Sequence, residues 1–246
     1  MATAESRIYA GSSDENGIHE QTYEAVYSAP HLTLASGVPP TLTFRYRLVK
    51  RLIDIVGASA MLGVALVPSL IIGAAIALTT RGPIFYRELR VGRGGRLFKI
   101  WKFRSMSDET ERESSIKIEH SSGTVLHWRI HKHHKNPCIT PVGGFLRRWS
   151  LDEIPQVLNV LLGDMSLVGP RPVIEAEVPL YAHLQEFYLA AAPGMSGLWQ
   201  VSGRSNVSFK TRAELDAFYV QNWSLRKDLV ILFRTVPAVL KRVGAR

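Results

Sequence analysis

The longest feature in the hydrophobic pattern is a run of 26 residues without a charge, IVGASAMLGVALVPSLIIGAAIALTT, between Asp54 and Arg81. A helix needs roughly 20 apolar residues to cross a bilayer, so the run predicts a membrane-embedded helix in preference to a buried core helix. Pro68 stands at the midpoint, where it removes one backbone hydrogen bond and crowds the preceding turn. Ser69 beside it can re-satisfy part of the freed backbone. The two flanks carry the same charge: Arg45, Arg47, Lys50 and Arg51 precede the run, and Arg81, Arg87, Arg90, Arg93 and Arg96 follow it. Cations gather on the cytoplasmic side of a membrane, so both ends read as cytoplasmic. A helix that enters, breaks at Pro68–Ser69 and returns to the same face satisfies both observations, and residues 45–81 are predicted as such a re-entrant hairpin. A kinked span across the bilayer is the alternative.

Beyond the run the period changes. Residues 84–90 and 97–104 are rich in aromatic and β-branched side chains and are separated by Gly92, Gly94 and Gly95, which predicts a β-hairpin. The glycine spacing matches no phosphate-binding loop and reads as a turn. Lys99 and Lys102 alternate with Phe98, Trp101 and Phe103, and the two-residue period of a strand puts Lys102 and Arg104 on one face. Residues 105–140 are polar and irregular, and include His127, His131, His133 and His134. Only His127 and His131 have helical spacing and no carboxylate or thiol completes the set, so a solvated basic loop is predicted over a zinc site. Near the C-terminus Leu225, Leu229, Leu232, Phe233 and Val236 form an apolar stripe beside Arg226, Lys227, Arg234, Lys241 and Arg242. That pattern suits an interfacial helix meeting anionic headgroups, with a core-packing helix as the alternative. Residues 1–40 have no sustained period and predict a disordered or loosely attached tail. They lack the basic and apolar regions of a signal peptide.

Charge narrows the field without deciding it. The net charge of +9 is uneven: residues 1–40 carry −4, leaving +13 on residues 41–246. So basic a body favours polyanionic company, whether nucleic acid, anionic lipid or phosphorylated substrate. The single cysteine, Cys138, excludes an internal disulfide and fits a reducing compartment.

The chemistry concentrates in RRWSLDEIPQVLNVLLGDMSLVGPRP, residues 147–172. Ser150 through Glu153 fits a capping box, in which the serine oxygen takes an orphan N–H and the glutamate reaches back. On that reading Pro155 would fall inside the helix, where its missing N–H breaks a bond. If Pro155 instead opens the helix, Asp152 and Glu153 sit just outside an N-terminus that attracts phosphate, and the helix QVLNVLL stops at Gly163. Arg147 and Arg148 precede the acids, Arg171 follows in GDMSLVGPRP, and the loop PGMSGLWQVSGRSN (193–206) carries Arg204. Arginines bind phosphate bidentately, so several around one acid pair describe a diphosphate site better than a helix cap. Phosphoryl transfer also calls for a divalent ion, which an adjacent carboxylate can hold.

These stretches, with KRLID (50–54), KFRSM (102–106) and FYVQNWSLRKDLVILFRT (218–235), resemble the bacterial sugar transferases, monotopic polyprenyl-phosphate phosphoglycosyl transferases. The likeness runs from residue 45 nearly to the C-terminus. It implies an α+β, mostly helical fold: a re-entrant helix-break-helix at 45–81 and a small cytosolic catalytic domain at 82–246 with a β-hairpin and interfacial helices. The implied activity moves a sugar-1-phosphate from a UDP-sugar to undecaprenyl phosphate and releases UMP. Asp152 is implied as the nucleophile and Glu153 as the Mg²⁺ ligand. Lys102, Arg147, Arg171, Arg204 and Asp228 occupy the family's positions around the nucleotide and phosphates. Arg51 with Asp54 matches its polar contact near the membrane surface, and Pro68–Ser69 its helix break. The spelling of SGRSN and YVQNWSLRKDL favours a hexose, glucose or galactose, over an acetamido sugar. The resemblance also implies an inner-membrane enzyme with both termini cytoplasmic, in its short form without a multi-span N-terminal bundle, at the first membrane step of an exopolysaccharide, capsule or O-antigen. Nucleic acid is not expected as a partner. The oligomeric state is left open, a homodimer being one arrangement. The rival from another class is a membrane-anchored basic adaptor for nucleic acid or acidic lipid, which leaves the acid pair unexplained because acids repel polyanions.

Overall fold

A computed structural model of the chain describes residues 44–107, 139–203 and 207–240. The acidic tail, the histidine loop with Cys138, Arg204, and the terminal Lys241 and Arg242 lie outside the described residues. The described part is α+β and mostly helical. It begins with helix α1 (Phe44–Thr79), followed by the hairpin β1 (Phe85–Val91) and β2 (Leu97–Phe103), joined through a 3-10 turn at Arg93–Gly95. Helix α2 (Pro141–Arg148), a 3-10 turn (Leu151–Glu153), helix α3 (Gln156–Leu162) and strand β3 (Ser166–Val168) come next. A 3-10 segment (Glu175–Leu184), helix α4 (Gln185–Ala190), strand β4 (Gly194–Ser196) and helices α5 (Leu198–Val201), α6 (Phe209–Gln221) and α7 (Leu225–Leu240) complete it.

Helix α1 departs from expectation in one respect. Pro68–Ser69 does not end the helix: α1 runs for 36 residues with Pro68 inside it. A proline forfeits a single bond to the carbonyl four residues back, and the turns on either side continue. The helix is not a core helix, since only 17% of its most apolar stretch is buried. Its two ends do pack. Ala58 is 0% exposed among Val157, Val160 and Leu167, and Ile76 is 2% exposed among Phe103 and Leu146. Between them Val64 is 81% exposed, with Val67, Leu70 and Ile71 also open.

Polar groups fasten both ends. Near the start, Lys50 Nζ donates to Asp228 Oδ2 at 2.7 Å and lies 3.8 Å from Asp54. Asp54 accepts from Ser166 Oγ and from the Leu167 N–H, each at 2.9 Å. Arg51 donates to the carbonyls of Val160 and, at 2.5 Å, Leu161. Those carbonyls belong to the last turn of α3, its negative end, where a cation is favoured. At the far end Arg104, buried, donates to the Thr80 carbonyl at 3.1 Å and the Arg81 carbonyl at 2.7 Å. The expected Arg51–Asp54 contact is therefore replaced: each residue turns to a different element, because α3 presents carbonyls and β3 presents donors.

The hairpin is antiparallel, with Tyr86 opposite Lys102 and Arg90 opposite Phe98. Its inner face packs on α3 through Asn159, which is 0% exposed. Asn159 Oδ1 accepts from the Trp101 N–H at 3.0 Å, and its Nδ2 donates to the Lys99 carbonyl at 2.8 Å. A buried amide satisfied on both sides sets the register of β2 against α3. Strands β3 and β4 are parallel, Ser166 opposite Gly194. Gly194 permits this approach, because a Cβ there would fall 2.1 Å from the Gly169 nitrogen.

Helix α7 turns Asp228 and Ile231 inward and pairs Thr235 with Ser196 Oγ at 2.6 Å. Leu225, Leu229, Phe233 and Val236 stay exposed on another face, Phe233 at 76%. Leu232 departs from the predicted stripe and packs against the core.

Candidate active site

The acid pair sits where two short helices meet. Thr140 caps α2, its Oγ1 accepting from the Gly143 N–H at 2.9 Å. Gly143 is pressed against the backbone of Ser105, where a Cβ would lie 1.9 Å from the carbonyl oxygen. The last turn of α2 carries Arg147 and Arg148. Ser150 then reverses the chain in the left-handed region, φ 56° and ψ 24°. Its side chain makes no cap bond, which overturns the capping-box reading. The Glu153 N–H instead donates to the Ser150 backbone carbonyl at 3.3 Å, the bond that a tight 3-10 turn makes. Pro155 caps α3 and Gly163 ends it at φ 91°, so the acids stand outside the helix, as the proline argument requires. Leu151 and Ile154 pack with Ile76, Phe103 and Leu146. These anchors on either side fix the turn that presents Asp152 and Glu153.

Glu153 opens on a shallow cleft whose walls include Arg90, Lys102, Arg171, Gln156 and Gln200. Lys102 Nζ lies 3.6 Å from Glu153 Oε1. Arg171 lies with its guanidinium carbon 5.6 Å from the Trp199 ring centre, a cation–π distance. Asp152 stands one residue back from the cleft wall. Burial and the neighbouring Glu153 push its carboxyl above the usual range, and Lys102 and Arg147 pull it back down. Arg171 is lowered by burial and by Arg212 and Arg90, with Glu153 opposing.

Lys102, Arg147, Asp152, Glu153 and Arg171 are thus brought together. Arg204 lies outside the described residues. Asp228 is not brought to the cleft. It is 1% exposed, and besides Lys50 it accepts from Tyr219 Oη at 2.7 Å and Trp223 Nε1 at 3.0 Å, so its carboxylate is saturated by structural partners. Lys102 and Arg104, predicted on one face, also part: β2 ends at Phe103, and Arg104 turns to the end of α1.

With this geometry in place, similarity to known proteins decides the family. The description "Bacterial sugar transferase" matches residues 45–242. The chain belongs to the bacterial sugar transferase family. Within it, the chain is 47% identical over 200 residues to a UDP-galactose-lipid carrier transferase of Erwinia amylovora, covering 81% of this chain and 42% of that protein. An exopolysaccharide production protein of Sinorhizobium fredii is 45% identical, over 80% of this chain and 87% of its own length. An undecaprenyl-phosphate galactose phosphotransferase of Salmonella typhimurium is 44% identical, again across 42% of its length. The chain therefore spans under half of some relatives and most of another.

In this sugar transferase, Arg90, Asn159 and Gln200 escaped the sequence reading. Arg90 was within reach of it: the strand period that places Lys102 also puts Tyr86, Glu88 and Arg90 on the paired inner face. Asn159 and Gln200 carry no such signal, since the strand partner of Asn159 lies 58 residues away and Gln200 reaches the cleft wall from a short helix.

Proposed function

We propose that this sugar transferase moves a hexose-1-phosphate, glucose or galactose, from a UDP-sugar to undecaprenyl phosphate with release of UMP. The observation that carries the reading is the acid pair held in a turn beside one cleft with Lys102 and Arg171. Relatives named as an undecaprenyl-phosphate galactose phosphotransferase and a UDP-glucose:undecaprenyl-phosphate glucose-1-phosphate transferase support it. Asp152, as a carboxylate, attacks the sugar-bearing phosphorus. An O–P bond to Asp152 forms as the bond to the UMP oxygen breaks, and the leaving phosphate takes the electron pair. An oxygen of the lipid phosphate then attacks the same phosphorus and restores the Asp152 carboxylate. Lys102 and Arg147 oppose the rise that burial and Glu153 impose on that carboxyl, and Arg171 receives charge on the substrate phosphates.

Glu153 fits a Mg²⁺ site. Magnesium is held by one or two carboxylates plus substrate phosphates and water, and among the described residues no cluster of three ligating side chains offers a protein cage. Bound there, the ion would neutralise the diphosphate. The placement at a membrane surface follows from the substrates, one soluble and one lipid-tailed. Both ends of α1 pack on the same catalytic unit while its midpoint stays open, which supports membrane contact through that midpoint; entry and return by the cytoplasmic face of the inner membrane then takes a bend at Pro68 within the helix. The exposed stripe of α7 supports an interfacial role. Relatives named for exopolysaccharide production support the first membrane step of such a pathway.

Measuring UMP release across a panel of UDP-sugars, with and without undecaprenyl phosphate, tests the reading. UDP-glucose or UDP-galactose is expected to yield UMP fastest. Absence of UMP from every UDP-sugar contradicts the proposal.

A further inference from the structure

One cation in the cleft has no task in the scheme above. Arg90 sits on the inner face of the hairpin, the same face as Lys102. Its position beside the Arg171 segment is fixed by backbone. The Val91 N–H donates to the Val173 carbonyl at 2.9 Å. Tyr188 Oη donates to the Val91 carbonyl at 2.6 Å and accepts from the Val173 N–H at 3.1 Å. These bonds clamp the residue after Arg90 to the residue two beyond Arg171, and both arginines line the cleft. Glu88 is the counter-ion, accepting from Arg90 Nη2, while the buried Arg90 Nε has no hydrogen-bond partner. Two like charges clamped together at an open cleft repel each other unless an anion bridges them, and guanidinium forks match phosphate oxygens.

The cleft also has an order, set by the strand register. Lys102 Nζ stands 3.6 Å from Glu153, whereas Arg90 is opposite Phe98, four residues back along β2 and so about 13 Å away along the strand. Arg90 is therefore toward the end of the cleft away from the acid pair, where the departing group must lie for an in-line displacement.

We propose that Arg90 binds the leaving group: beside Arg171, its guanidinium takes the nucleotide-side phosphate of the nucleoside diphosphate sugar and holds the nucleoside monophosphate after the bond breaks. Glu88 is the ion that this phosphate displaces. The proposal rests on the transferase reading and adds a binding residue to it.

The test is calorimetric binding of UMP to the full chain in detergent with Mg²⁺ present, paired with KM for the UDP-sugar. Arg90→Gln is expected to weaken UMP binding about 10–100-fold, the range for losing hydrogen bonds to a charged group, and to raise KM. Arg90→Lys recovers part of the loss, because a point charge lacks the fork. Glu88→Gln shifts UMP affinity the opposite way, tighter by several-fold, since it removes the competing carboxylate. That opposite sign separates substrate binding from a merely structural ion pair, and it stands even if Arg90→Gln folds poorly. UMP affinity within about twofold of the original chain in both Arg90 variants, or equal weakening by Arg90→Gln and Glu88→Gln, overturns the proposal. A chain that releases UMP yet shows either result leaves the transferase reading intact. A chain that releases no UMP overturns that reading itself.

Discussion

Two sets of acids invite comparison. Asp228 is enclosed by Lys50, Tyr219 and Trp223 at 2.7–3.0 Å. The Asp152–Glu153 pair faces cations across a longer gap, 3.6 Å from Lys102 to Glu153, beside an open cleft. All three residues carry the same chemistry and all three matched family positions. The difference lies in access. A carboxylate enclosed by buried donors holds the fold together. One that sits beside an open cleft among cations stands where substrate phosphates or a metal ion can approach. Asp216 is a third case, buried against Tyr181 Oη at 2.8 Å, with burial pushing its carboxyl up to about 7.

Substitution should separate these roles, and the largest effect belongs to the cleft. Asp152→Asn is expected to lower transfer at least about a thousandfold, as loss of a nucleophile does, with the melting temperature unchanged. A variant that keeps full activity breaks the comparison. Asp228→Asn should do the reverse. Leaving the buried Lys50 with only Asp54, 3.8 Å away, costs up to about 3–5 kcal/mol of stability, read by denaturant unfolding in detergent, while the folded fraction keeps its KM for the UDP-sugar. Replacing Lys50 and Asp228 together with apolar residues should recover most of that loss.

Asp216 adds a pH dependence of definite sign. Its folded pKa of about 7 lies above the ordinary carboxylate value of 3.8, so between about pH 4 and 7 the folded chain binds more protons than the unfolded chain. Stability from this group therefore falls as pH rises through that window, and Asp216→Asn should flatten the profile of melting temperature against pH over the same range. The smallest effect concerns the turn. Ser150 occupies the left-handed region at φ 56° without capping, so Ser150→Gly should stabilise by about 1 kcal/mol by relieving strain. A capping serine would give a slight loss instead.

Local rules made much of this visible in the sequence. Pro155 and Gly163 bracketed α3 correctly because each acts through its own backbone geometry. The hairpin followed from alternation and glycines, and Lys102, Arg147 and Arg171 converge on the acids as the cluster of cations suggested. What stayed hidden depends on distant partners. The saturation of Asp228 requires Lys50, 178 residues away, and the separate roles of Arg51 and Asp54 depend on how α3 and β3 stack. The capping box failed because tertiary packing of Leu151 and Ile154 drew the chain into a 3-10 turn, over the local preference for a cap. Pro68 did not end α1 for the opposite reason: its local effect is the loss of one bond, which does not stop a long helix.

Everything proposed for the acid pair turns on Asp152 carrying the sugar phosphate covalently. Incubating the chain with a UDP-hexose in the absence of undecaprenyl phosphate, then mapping modified peptides by mass spectrometry, tests it directly. The expected result is one equivalent of UMP and a hexose-phosphate adduct on Asp152, lost on adding the lipid phosphate and absent in Asp152→Asn. Full turnover with the lipid present, but no adduct and no UMP without it, contradicts the claim.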